Sequence, residues 1–405
     1  MLNTTAFLIP VFLLLVSVEC YISFRNRDDH YHHANTAMNL CIGAMDQLVS
    51  LFSFGLLYFV MNYVFTHFRI IENNNIWYQW IGGYVAVDFL SYWYHRWSHR
   101  VNILWAGHIT HHSSDLFNYS NGFRTSFFQG INRIFFWAFL PVFGFSPVIL
   151  LLILKISGVF DFLQHTTYVP KLKWIEKIFV TPSAHRVHHG KNDIYIDKNY
   201  GSNFIVWDKL FGTYQEETEK VIYGITGPYT DENPYTAISH HYRYLWNTMR
   251  SAPRWTDRIK LLFMPPEWKP SFAPPVHVRK AMTPRECSLP LQRYAWLQLI
   301  AAVSGINLIL AVHAYMPVQD LLLCSAIGIS SLANASLLLK HRVPPEFERQ
   351  EMARILAFLI LSLTCIYLNQ NAYLWVLVIY LTSLAVYLAL TQPVSFRLKE
   401  RNQYR

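Results

Sequence analysis

Apolar positions in this 405-residue chain fall in long unbroken runs, near 6–23, 39–65, 76–94, 293–315, 318–339, 353–368 and 372–391. Each approaches the roughly 20 residues an α-helix needs to cross bilayer hydrocarbon, so each predicts a spanning helix. A further stretch, 127–165, is broken by Pro141 and by Gly144-Phe145-Ser146-Pro147. Proline cannot continue a helix interior, and the stretch reads as a hairpin of two helices. The pattern predicts an all-α, polytopic integral membrane protein with nine crossings. Three regions are expected: N-terminal transmembrane helices over 1–75, a central region over 76–290, and C-terminal transmembrane helices over 291–405.

Charge placement predicts the orientation. Met1 to Pro10 carries no Lys or Arg, whereas Arg25 and Arg27 follow the first run. The other basic loops are Arg96 to Arg124, the segment 166–291, Lys340-His341-Arg342 and the tail from Arg397. The loops at Glu72-Asn73-Asn74-Asn75 and Asn369-Gln370-Asn371 are poor in basic residues. By the positive-inside rule the N-terminus is external and the C-terminus cytoplasmic, which nine crossings allow. A re-entrant 127–165 hairpin would also keep its two ends on one face.

Composition agrees: 53% hydrophobic, 16% aromatic and only 15% charged residues, more apolar and less charged than soluble proteins. The net charge of +9 lies in loops beside spans, where it attracts anionic headgroups; no nucleic-acid partner is expected. Aromatic and basic residues mix over Tyr235 to Met249 and Trp255 to Met264, which suit either interfacial helices or an ordinary cytoplasmic cap. The first run lacks a basic start and a small-residue cleavage site, so it reads as a retained span rather than a signal peptide. Cys20, Cys41, Cys324 and Cys365 lie in or beside apolar runs as small hydrophobes, with no zinc-type spacing.

The chemistry concentrates in histidines. His95 and His99 form one pair, His108, His111 and His112 a second cluster, and His185, His188 and His189 a third; His165 stands alone between the last two. Residues three and four apart share a helix face, so each cluster is able to direct its imidazoles at one metal. A single such pair is usually packing. Three clusters and a lone histidine within about a hundred residues predict a centre with room for two metal ions at the cytoplasmic edge of the spans. Asp88, Asp161 and, more weakly, Asp115 are expected to orient imidazoles. His30, His32, His33, His67, His313, His240 and His241 are expected not to be ligands; adjacent His240 and His241 diverge by about 100° on a helix.

The text around these clusters is specific. It reads Tyr94-His95-Arg96-Trp97-Ser98-His99, His108-Ile109-Thr110-His111-His112-Ser113-Ser114, Phe117-Asn118-Tyr119-Ser120 and Arg124. Gln164-His165-Thr166, Thr181-Pro182-Ser183-Ala184-His185-Arg186-Val187-His188-His189-Gly190, Ile196-Asp197-Lys198-Asn199-Tyr200-Gly201 and Trp207-Asp208-Lys209-Leu210-Phe211-Gly212-Thr213 follow. From about residue 25 to 275 the chain resembles the fatty acid hydroxylase/sterol desaturase superfamily, in its alkylglycerol monooxygenase-like branch. One departure is Tyr31-His32-His33-Ala34-Asn35, where that branch often has Asp after a Tyr-Arg pair.

The resemblance implies two iron ions, O2 activation and hydroxylation of a C–H bond in a lipid, with an ether lipid favoured over a sterol, fatty acyl or ornithine lipid. It implies that His165 joins the ligand set. The chain has no Gly-x-Gly-x-x-Gly fingerprint and no cytochrome b5-like stretch, so an external electron donor is expected. The resemblance suggests tetrahydrobiopterin; ferredoxin and cytochrome donors are equally compatible. Asn118 and Arg124 are expected to position a cofactor or headgroup, with capping and loop hydrogen bonding as the alternative. Two other classes, a metal transporter and a scaffold with structural zinc, fit the pattern less well. A metal transporter would carry its ligands near the midplane, and structural zinc closes with four ligands, too few to explain nine histidines.

Overall fold

The computed structural model describes residues 4–227, 229, 233–274, 289–339, 347–369 and 371–403. The basic group Lys340-His341-Arg342 lies outside them. Helices dominate, and among the described residues the only β pairings are isolated bridges, Phe179 with Phe204 and Gly190 with Tyr223. The chain divides into two compact units, Val11–Val278 and Met1–Pro10 with Arg279–Arg405.

The first unit contains most of α1 (Thr4–Asn26), then α2 (His33–Phe68), α3 (Gly83–Arg100), α4 (Asn102–His112), α5 (Phe127–Trp137) and α6 (Pro147–Leu163). Four short or amphipathic helices follow: α7 (Pro182–His188), α8 (Val206–Leu210), α9 (Pro234–Ser251) and α10 (Trp255–Phe263). The second unit contains α11 (Leu289–Val312), α12 (Val318–Leu339), α13 (Phe347–Asn369) and α14 (Trp375–Gln403).

Among the described residues five helices are long and apolar enough to cross a membrane: Thr5–Asn26, His33–Phe68, Leu289–Tyr315, Val318–Leu339 and Phe347–Leu368. The other four expected crossings differ. The 76–94 run starts with a π-helical turn, Tyr78–Gly82, and continues into α3, which turns Asp88, Tyr92 and Tyr94 inward and bears His95 and His99. The 127–165 stretch folds as two short helices, with Gly144 left-handed at φ 80° between them. A Cβ there would lie 2.2 Å from the Ile71 carbonyl oxygen, so both conformation and space demand glycine. The last run keeps a shorter apolar stretch, Trp375–Leu390.

Two breaks aim the histidine-bearing helices. Between α3 and α4 the chain is extended only at Val101. Asn102 secures this corner: its backbone N–H donates to Met264 and its side-chain amide to Leu261, while its Oδ1 accepts from His241 at 2.6 Å. α7 begins with Thr181 as N-cap and Pro182 at the first helical position, a pairing that satisfies an orphan N–H and pre-sets the backbone.

Candidate metal centre

The nine clustered histidines converge from four places: α3, α4, the loop after α6, and α7 with its C-cap. They separate into two groups. His95, His99, His108, His112 and His188 place one ring nitrogen each within 4.8 Å of one another, and so do His111, His165, His185 and His189. Each group is able to hold a metal ion.

The division corrects the expectation that each sequence cluster serves one ion. On α4, His108 and His112 enter the first group and His111 the second; at α7, His185 and His189 enter the second and His188 the first. In each cluster the i,i+4 pair stays together. The remaining histidine is adjacent to one member of that pair, about 100° round the helix, and faces the other group.

Within the first group the Nε2 atoms of His95 and His108 lie 3.0 Å apart, those of His108 and His112 3.0 Å, and those of His112 and His188 3.1 Å. In the second, the Nε2 separations are 3.3 Å for His111 and His165, 3.1 Å for His165 and His185, and 3.1 Å for His185 and His189. Three rings have their outer nitrogen fixed by a backbone carbonyl. His95 Nδ1 donates to Tyr200 at 2.9 Å, His165 Nδ1 to Asp161 at 2.7 Å and His188 Nδ1 to Lys198 at 3.0 Å. A carbonyl only accepts, so these rings are Nδ1–H tautomers with the Nε2 lone pair aimed inward. His99 Nε2 is buried with no hydrogen-bond partner. Lone pairs packed against lone pairs are unfavourable in the metal-free protein and are satisfied by a cation, so the donor set fits transition-metal binding.

Burial keeps the imidazoles neutral, the form that binds metal. It lowers His95 and His165 to about 4. The other seven lie well below the ordinary value, through burial first and repulsion from neighbouring imidazoles second.

The carboxylates behave differently from expectation. Asp88 does not orient an imidazole: its carboxylate accepts from Asn203 N–H at 2.8 Å, Asn203 Nδ2 at 2.9 Å, Phe204 N–H at 3.2 Å and Trp207 Nε1 at 2.8 Å. It ties the loop before α8 to α3. Asp161 orients His165 through its backbone carbonyl, while its carboxylate accepts from Ser202 at 2.7 Å. Asp115 is exposed and lies 3.9 Å from Lys191.

The segment Asp197-Lys198-Asn199-Tyr200-Gly201, part of the family resemblance, has a geometric role. Asp197 and Asn199 are left-handed, at φ 60° and 54°. Asp and Asn tolerate that conformation best among residues with a Cβ. The two reversals turn alternate carbonyls, of Lys198 and Tyr200, onto His188 and His95. Asp208 then holds the segment, accepting from Tyr200 N–H at 2.7 Å, Gly201 N–H at 2.8 Å and Thr213 Oγ1 at 2.7 Å.

Asn118 and Arg124 adjoin the centre rather than line it. Asn118 Nδ2 donates to the His30 carbonyl at 2.7 Å and its Oδ1 caps the turn at Ser120. Arg124 is fully buried; Nε donates to the Thr110 carbonyl at 2.8 Å, Nη2 to Ser113 at 2.8 Å and Nη1 to Asn39 at 3.0 Å. It thereby clamps the C-terminal turn of α4 to α2. His30, His32, His33, His67, His240, His241 and His313 join neither group.

Comparison with known proteins gives a consistent picture. A fatty acid hydroxylase family model matches residues 80–213, which contain all nine histidines. The chain is 32% identical to human alkylglycerol monooxygenase over 364 residues, 87% of this chain and 81% of that protein. It is 34% identical to the Xenopus tropicalis alkylglycerol monooxygenase over 312 residues, 74% and 69% of the two chains. An ornithine lipid hydroxylase of Rhizobium tropici is 30% identical over 153 residues, 37% of this chain and 46% of that one. No solved structure matches the chain.

Proposed function

The chain belongs to the fatty acid hydroxylase family, alongside the alkylglycerol monooxygenases, and from that membership we propose a membrane di-iron oxygenase that hydroxylates an ether lipid. Lipid hydroxylation by a membrane enzyme is the family's common activity; the ether substrate is favoured because the alkylglycerol monooxygenases match over most of the chain. The observation that carries the reading is the division of nine imidazoles into groups of five and four.

In this reading the first group binds one ion and the second group the other, over a catalytic region spanning 76–290, with 291–405 as a C-terminal membrane unit. When bound, iron supplies O2 activation. The protein's part is to hold neutral ligands in fixed tautomers. Tyr200, Lys198 and Asp161 do so through carbonyls. Arg124 and Asn118 act as positioning residues, the first fixing the end of α4 and the second the turn beyond it. Nine neutral ligands add no negative charge, so two bound ions would leave the site electropositive.

Hydroxylation consumes O2, two electrons and two protons and releases water. At the carbon bonded to an ether oxygen it forms a hemiacetal, which collapses to an aldehyde and glycerol. The electrons come from an external donor, a reduced pterin such as tetrahydrobiopterin in this reading. The basic residues flanking the centre, over 96–124 and 166–291, support a cytoplasmic placement, with lipid entering from the bilayer.

The test is the full chain in lipid nanodiscs, loaded with Fe²⁺ and given a 1-O-alkylglycerol, O2 and tetrahydrobiopterin. Two irons per chain and pterin-dependent fatty aldehyde are expected. Iron binding without aldehyde, together with hydroxylation of an ornithine lipid, would replace the substrate. Failure to retain iron would end the reading.

A further inference from the structure

Glu19 is a buried carboxylate within a stretch apolar enough to span a bilayer, and it is 2% exposed. An ionisable group in such a place is costly unless fully hydrogen-bonded, and marks function more often than packing. Its partners come from three segments outside α1, two of them remote in sequence. Oε2 accepts from the Tyr31 hydroxyl at 2.6 Å and from the Tyr119 backbone N–H at 2.7 Å; Oε1 accepts from the Thr166 hydroxyl.

Thr166 directly follows His165. Its Oγ1 accepts the Tyr168 backbone N–H at 3.2 Å, so its own proton is directed to Glu19. The Thr166 carbonyl accepts from Arg186 Nη1 at 3.0 Å. Arg186 neighbours His185 and is forked onto Glu217 at 2.9 and 2.7 Å. One chain of contacts therefore runs from α1 through Thr166 to α7, flanking His165 and His185.

His165 needs such an anchor. The other three members of its group stand on α4, on α7 or at its cap, whereas His165 lies beyond the last residue of α6. Its ring is oriented by Asp161, but the strand of chain leaving it is tied by Thr166.

We propose that Glu19 is a positioning residue for the four-histidine group, holding His165 in place through Thr166. The proposal rests on the two-ion reading above. It gives the N-terminal helix a part in the metal centre, and it assigns Tyr31, within the segment that departs from the branch pattern, to the same carboxylate.

Titration of metal-free, full-length protein in nanodiscs with Co²⁺, followed by visible absorbance, separates the two ideas. Wild type is expected to show two binding phases. Glu19→Ala and Thr166→Val should each weaken one phase by about 10–100-fold, as loss of ligand support does, and leave the other in place. Thr166→Ser, which restores the hydroxyl, should return the wild-type curve. Should Glu19→Ala fail to fold, the Thr166 pair carries the test alone. Two phases unmoved by these variants, or weakened equally, would overturn the role of Glu19. A single phase in the wild type would overturn the two-ion reading itself.

Discussion

His95 and Tyr200 meet across 105 positions of sequence: the imidazole Nδ1 donates to the Tyr200 backbone carbonyl at 2.9 Å. A carbonyl cannot rotate away as a side chain can. It fixes both tautomer and ring plane for as long as the segment 197–201 keeps its shape, and Asp208 is what keeps that shape.

Asp208→Asn is therefore expected to reach the metal centre without touching it. The amide can no longer accept from Tyr200, Gly201 and Thr213 together, and His95 loses its fixed partner. Metal affinity in the five-histidine group should fall by about 10–100-fold, with the four-histidine group spared. Iron per chain after dialysis against a weak chelator checks this. Gly201 belongs to the same arrangement: a Cβ there would lie 2.9 Å from Asp208 Oδ2 and 2.7 Å from the Phe204 carbonyl.

Asp88→Ala should act on folding. Four donors, from Asn203, Phe204 and Trp207, would be left facing a void in a buried site. Each unsatisfied donor costs about 1–3 kcal/mol, so even partial relaxation leaves a loss of roughly 3 kcal/mol or more. A lowered unfolding midpoint in detergent, with normal iron content in the folded fraction, is the expected result. Normal stability with lost iron would restore Asp88 as an imidazole partner.

What could be read from sequence followed local rules. Spanning length identified the long apolar helices, and helical spacing singled out His95, His99 and the i,i+4 pairs. Three things escaped because they depend on tertiary placement. α3 reads as a span but faces its polar side into the centre. His111 and His188 cross to the opposite groups because adjacent side chains diverge on a helix. The imidazole-orienting acceptors are backbone carbonyls, which carry no residue signature. The nearest signal was the alternation of Asp197 and Asn199, two residues tolerant of left-handed backbone, with carbonyls to spare between and after them.

His241→Ala should separate packing from ligation. His241 Nε2 donates to Asn102 Oδ1 at 2.6 Å and joins neither histidine group. Its loss frees the corner between α3 and α4, at a cost of about 1–3 kcal/mol for the buried acceptor left behind. Iron content should be unchanged, measured on protein purified at low temperature. Loss of iron from the folded variant would reopen the ligand assignment.

The metal-free protein should be acid-sensitive in a defined window. An unfolded histidine titrates near 6.5, whereas burial lowers His95 and His165 to about 4 and holds the other seven well below the ordinary value. Between those values the unfolded state binds protons that the folded state refuses. Stability is therefore fully present above about 6.5 and falls as pH drops towards 4 and below. Metal competes with protons for the same lone pairs, so the loaded protein should resist acid over the upper part of this window and release metal as it yields. Denaturation midpoints of metal-free and iron-loaded protein, measured from pH 8 to pH 4.5, give the comparison. Parallel curves for the two forms would mean that the imidazoles are not where the ions bind.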